Sequence, residues 1–198
     1  MGKYVSKIFS TIEKTNDDDI TQFCLESILI RIPIFLEEFF GCIILIATCR
    51  KEKLMREYFL VNGSNKAKQD IKKGCNLGTL VKYAKSEISF KNEAKKIERI
   101  FNHLYSISPF PDKTTKDIIL DMVLVRNIII HEGGWPNEHH QKQVRTSGAI
   151  KISNTINLPG GEVSFYKLEL TNKNFVRNAI NSVKSLMSHI YKTLEKIP

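Results

Sequence analysis

Hydrophobic positions recur at helical spacing along most of the chain. Tyr4, Val5, Ile8, Phe9 and Ile12 fall on one side of a helix over Tyr4–Lys14. Asn16, Asp17, Asp18 and Asp19 offer N-cap residues, and their carboxylates suit the positive end of a helix starting near Ile20. Pro33 lacks an amide hydrogen and is expected to kink or restart that helix. From Ile34 to about Val61 the pattern stays helical and is apolar nearly all round in its middle, which implies burial on more than one side. Asn62-Gly63-Ser64-Asn65 ends it with residues that tolerate left-handed backbone. Lys66–Gly74 reads as a short helix or an exposed turn, and Leu77–Ala84 opens another helix.

Asn92–Ile107 is a clearer amphipathic helix, with Ala94, Ile97, Ile100, Phe101, Leu104 and Tyr105 on one side. Pro109-Phe110-Pro111-Asp112 breaks the chain. The next helix runs from about Thr114 to His131 and closes at Gly133-Gly134, with Trp135-Pro136 beyond. The pattern then changes to β-branched and aromatic runs, Ala149–Ile156 and Glu162–Leu168, around the turn residues Leu158-Pro159-Gly160-Gly161. These predict a β-hairpin over residues 149–170. Thr171 caps a last helix to about Lys196, whose stripe is Phe175, Val176, Ile180, Val183, Leu186, Met187 and Ile190. The expected fold class is mainly α: a helical bundle with one inserted β-hairpin before the C-terminal helix, in a single domain over residues 1–198.

Composition narrows the class. The 198 residues are 42% hydrophobic and 26% charged, enough to bury a core, which excludes a disordered chain. No fixed-period repeat is present. Thirty Lys and Arg against 21 Asp and Glu give a net charge of +9, which favours an acidic partner such as nucleic acid. Cys24, Cys42, Cys49 and Cys75 form no C-x-x-C pair and follow no secretory signal, so they read as small core residues of a reduced, cytoplasmic protein. The apolar run Phe39–Ala47 falls short of the roughly 20 residues that span a bilayer, so a buried helix is expected and no membrane partner.

The Thr114–His131 segment carries the candidate chemistry. From Ile118 to Ile130 only Asp121, Arg126 and Asn127 interrupt its apolar surface. Leu120, Leu124, Asn127 and His131 make one stripe, while Ile118, Met122, Val125 and Ile129 lie largely on the other side. One side can face the bundle core; the other needs another layer or another subunit. Polar groups in such a helix are costly unless they pair or face a cleft.

Arg126-Asn127-Ile128-Ile129-Ile130-His131 reads as R-N-x-x-x-H. It resembles the motif of the HEPN superfamily, whose ribonuclease members carry Arg, four to six residues, then His, often with a polar residue straight after the Arg. Leu77–Ala84, a Leu-Gly-Thr-Leu-Val run on an earlier helix, is also similar to the family. The resemblance implies a HEPN-like bundle and a metal-independent endoribonuclease acting on RNA as a homodimer, with Arg126 and His131 of both chains around one cleft. It also implies a toxin or antiviral defence effector, with an inhibitory antitoxin or another defence-system partner. One departure from the family is that Glu132-Gly133 follows His131, where a subgroup paired with nucleotidyltransferases has a Tyr two residues on.

The residue types suit that chemistry. Cutting RNA without a metal needs one group to take the ribose 2′-hydroxyl proton and one to protonate the leaving oxygen; histidine, titrating near neutrality, serves both. A guanidinium stabilises the charge that gathers on the phosphorane-like transition state. Asn127, one helical turn before His131, can orient the ring or hold phosphate. Arg126 and His131 stand about 140° apart around a helix, so two chains are expected to complete the site. On structural grounds alone, Arg126 can instead cap helix carbonyls or pair with Asp121, and His131 can sit as a cation in the last turn. A non-catalytic helical module binding RNA or protein is the alternative function.

Other groups are weaker candidates. Lys91, Lys95, Lys142 and Arg145, with Lys151, are candidates for tracking an RNA backbone. Arg99 and His103 read as a solvated pair, His189 as packing, and Glu138-His139-His140 as a surface loop without a tetrahedral ligand set. No cofactor and no metal is expected.

Overall fold

The computed structural model describes residues 18–86, 94–145, 150–159, 161–168 and 173–195. The helices are α1 (Asp18–Arg50), α2 (Glu52–Asn62), α3 (Asn65–Lys72), α4 (Leu77–Ser86), α5 (Ala94–Tyr105), α6 (Lys113–His131), α7 (Glu138–Gln143) and α8 (Lys173–Leu194). The described chain is mainly helical, and none of these helices is long and apolar enough to cross a membrane. Between α7 and α8, strands β1 (Ile150–Leu158) and β2 (Gly161–Leu168) pair antiparallel from Ile150↔Leu168 to Leu158↔Gly161. The register shifts between Ile152 and Asn154, a one-residue bulge. The expected Tyr4–Lys14 helix, the Thr171 cap and Lys91 lie outside the described residues.

Two compact units divide the chain, Met1–Pro33 with Pro111–Ser188 and Ile34–Phe110 with His189–Pro198. In the first, Leu25 and Leu29 of α1, Ile119, Met122, Val125 and Ile128 of α6, and Val176, Ala179 and Leu186 of α8 are all buried. These residues recur every three or four positions, as a packed helix face requires. In the second, Phe40 of α1 meets Phe101 of α5 edge to face, with ring centroids 5.5 Å apart. Tyr58 and Phe59 of α2 pack the same way, at 5.2 Å.

Local chemistry sets the helix ends. Ser64 caps α3 by accepting from the Ala67 amide at 3.2 Å. Just before it, a side chain on Gly63 would put its Cβ 2.5 Å from the Phe59 carbonyl oxygen, so only glycine fits. Arg56 grips Glu52 Oε1 through Nε and Nη2, and Nη2 also donates to the Cys75 carbonyl at 2.7 Å. That bond ties α2 to the segment ahead of α4.

Five sequence expectations are corrected. The helix expected over Ile34–Val61 is two helices, because the chain bends at Lys51. There the Lys51 ammonium donates to the Leu104 carbonyl at 2.9 Å and lies 4.5 Å from the centre of the Tyr105 ring. The middle of α1 is not buried on more than one side, since Leu45 and Ile46 are exposed. The cysteines are not core residues: Cys42 and Cys49 are exposed, Cys24 and Cys75 half-buried, and all four are free thiols. Glu138-His139-His140 begins a helix, α7, rather than a loop. At Pro33, α1 continues without a break.

The Tyr83 hydroxyl of α4 donates to the Asp70 carboxylate of α3, which pushes the Tyr83 phenol up from 10.0 to about 12, with burial and the Asp70 charge adding to the effect. A raised phenol favours the folded state as long as it stays protonated. Its contribution is therefore complete below about pH 10 and lost as pH climbs through about 12. Asp70→Ala is expected to return Tyr83 towards the ordinary tyrosine value, read as an earlier phenolate absorbance rise in an alkaline titration.

Candidate active site

α6 is fixed at both ends by local bonds. At its start the Asp112 carboxylate accepts from the Thr115 amide at 2.7 Å and from the Thr115 hydroxyl at 2.9 Å. At its end the Glu132 and Gly134 amides both donate to the Ile128 carbonyl, at 3.0 and 3.1 Å. Gly133 and Gly134 take φ values of 59° and 86°, left-handed backbone that stops the helix directly behind His131. His131 thus sits in the last turn, exposed.

The covered face of α6 carries Ile119, Met122, Val125 and Ile128. On the stripe expected to need a second partner, Leu120, Leu124 and Asn127 are only half-buried. Ile130 beside it is 42% exposed.

Asp121 is fully buried, at 0% exposure. It accepts from the Arg145 amide at 2.9 Å, and the Arg145 guanidinium Nη1 lies 3.6 Å from the same oxygen. A carboxylate is tolerated out of water only with such partners. This pair anchors the chain beyond α7 to the middle of α6.

Arg126 is half-buried, and its Nη1 donates to Asn127 Oδ1 at 2.8 Å. Its Nε is a buried donor with no hydrogen-bond partner. The Nε edge of a guanidinium is one that grips carboxylate or phosphate in bidentate fashion. The structure therefore joins Arg126 to Asn127 and leaves Nε without a protein acceptor. Among the described residues no hydrogen bond joins His131 to either of them.

The remaining candidates are placed as follows. Lys142 is exposed and pairs with Glu138 at 2.5 Å, one turn away on α7. Arg145 donates from Nη1 to the Gln143 carbonyl at 3.3 Å besides its approach to Asp121. Lys95 lies on α5 and Lys151 on β1. His103 does more than expected: its Nε2 is 2.9 Å from the Leu54 carbonyl, and its ring stands edge-on to Tyr58. His189 Nε2 lies 3.1 Å from the Ser108 carbonyl. His140 closes a capping box with Asn137 at the start of α7. Among the described residues no three His, Cys, Asp or Glu side chains are grouped to hold a metal ion.

Sequence reasoning missed the Asp121–Arg145 tie, because the two residues are 24 positions apart and only the buried charge in an apolar run hinted at a partner. Comparison with known proteins returns no matching family model, no similar curated protein and no similar solved structure.

Asp121 and Arg126 should respond in opposite ways. Asp121→Ala leaves the Arg145 amide without its acceptor and is expected to cost about 1–3 kcal/mol. Arg126→Met removes a buried donor that has no acceptor, and stability is expected to hold or rise slightly. Urea unfolding midpoints compare the two. A loss of more than about 2 kcal/mol in Arg126→Met would mark the arginine as structural.

Proposed function

We propose that this chain is a metal-independent endoribonuclease of HEPN type, working as a homodimer with Arg126, Asn127 and His131 in its site. The observation that carries the reading is the state of Arg126. Asn127 holds one end of its guanidinium, and Nε is buried with no acceptor. Buried polar groups in folded proteins are almost always satisfied, so this lone donor calls for an acceptor that the chain itself does not supply. A phosphate oxygen is such an acceptor. His131, five positions on, stands exposed at the end of the same helix.

In this reading a ribose 2′-oxygen attacks the adjacent phosphorus while one histidine takes its proton. Arg126 stabilises the charge on the phosphorane-like transition state. A second histidine protonates the departing 5′-oxygen as the P–O5′ bond breaks. The products are a 2′,3′-cyclic phosphate and a 5′-hydroxyl. A two-fold contact through the half-buried Leu120 and Leu124 supplies the second histidine from the partner chain and covers the apolar stripe. The same dimer is the form in which a toxin or defence effector would meet an inhibitory partner.

Purified protein is expected to cut mixed RNA in the presence of chelator and leave 2′,3′-cyclic ends. His131→Ala or Arg126→Ala should lower the rate by about 10²–10⁴ while the protein stays folded. Leu124→Arg should give an inactive monomer by sedimentation. Activity restored only by added magnesium or zinc would overturn the mechanism. Rates within a few-fold of the parent in both site variants would overturn the residue assignment.

A further inference from the structure

Trp135 is the single tryptophan of the chain, and it is 70% exposed. Tryptophan carries a large aromatic area with a polar N–H and is enriched where proteins meet partners. Its backbone is firmly held: the Trp135 amide donates to the Glu132 carbonyl at 3.1 Å, and the preceding Gly134 amide reaches back to Ile128. On the far side Pro136 is buried. The ring lies back along the turn, with its Cδ1 4.0 Å from where a side-chain Cβ on Gly133 would stand. The left-handed glycines that stop α6 behind His131 thus also set an aromatic plate beside the helix end, four positions from the imidazole.

We propose that Trp135 is a stacking platform for an unpaired nucleobase of single-stranded RNA, next to the phosphate that is cut. The proposal rests on the ribonuclease reading for its substrate. Stacking suits this side chain because an indole face meets any base without needing a hydrogen-bond code, and each stacked base contributes appreciably to single-strand affinity. The net charge of +9 suits a polyanion, while the exposed cations that follow Trp135, Lys142 and Arg145, are ion-paired with Glu138 and Asp121. A duplex keeps its bases stacked on one another, so this platform selects loops and single strands.

Because Trp135 is the only indole, fluorescence excited at the red edge, where the six tyrosines do not absorb, reports on this position alone. The probe is a 2′-O-methyl oligouridine, which binds but cannot be cleaved because its attacking oxygen is blocked. Titration into the full chain is expected to quench the fluorescence to saturation. An abasic ribose-phosphate oligomer of the same length should leave it unchanged. Trp135→Leu should weaken oligouridine binding roughly tenfold, and Trp135→Phe should recover part of that loss. Circular dichroism spectra should match the parent in both variants, since the side chain is exposed.

Binding with unaltered fluorescence, equal affinity in Trp135→Leu, equal quenching by the abasic oligomer, or no binding at all would each overturn the platform. The two readings fail separately. RNA cutting without quenching overturns the platform and leaves the nuclease. Base-dependent quenching in a protein that never cuts RNA supports the platform and overturns the catalysis.

Discussion

A carboxylate held entirely away from water governs the first unit. Asp121 sits in the middle of α6 at 0% exposure, and it is tolerated there because the Arg145 amide and guanidinium approach one of its oxygens. Close packing of the apolar face already resists sliding of α6, and the buried carboxylate adds a directional demand, since it must meet a particular backbone amide. That fixed phase places Ile119, Met122, Val125 and Ile128 inward, and so decides that Leu124, Asn127 and His131 are left less covered. The orientation of Arg126, five residues along the same helix, follows from the same constraint.

A second constraint is arithmetic. α1 and α6 both carry more apolar side chains around their circumference than one packed face can use. In α1 the surplus is Ile34, Leu45 and Ile46; in α6 it is Leu120, Leu124 and Ile130. Burial of such groups is favourable at about 25 cal/mol per Å², so each surplus stripe is a standing preference for another surface. On α6 that preference coincides with the residues of the proposed site, so the proposed assembly and the proposed chemistry would share one helix.

The amphipathic helices were legible because their apolar residues recur at 3.6-residue spacing. Ile97, Ile100, Phe101 and Leu104 of α5, and Phe175, Val176, Ile180, Val183 and Leu186 of α8, are buried as that spacing requires. The bend between α1 and α2 was not, since Thr48-Cys49-Arg50-Lys51-Glu52 contains no glycine or proline. It accompanies contacts of Lys51 with Leu104 and Tyr105, more than fifty residues away. The cysteines were misread because size suggested burial, whereas the phase of a helix decides which positions face water. At the site, the residue types of Arg126, Asn127 and His131 were visible. The fold-back of the guanidinium onto its neighbour was not, because adjacent positions on a helix do not ordinarily face each other.

Two helices pass from one unit into the other, α1 at Pro33 and α8 at Ser188. Each unit is therefore assembled from two separate stretches of chain, and no single cut in the polypeptide releases either one whole. A fragment ending at Phe110 would lack the α8 end of the second unit, and one beginning at Pro111 would lack the α1 start of the first. The helix bearing Arg126 and His131 cannot be isolated with its packing partners by trimming from either terminus. The two units alternate along the chain, so rejoining the termini and reopening the chain elsewhere would not bring either unit into one stretch, and genetic dissection of this molecule is a matter of point substitution.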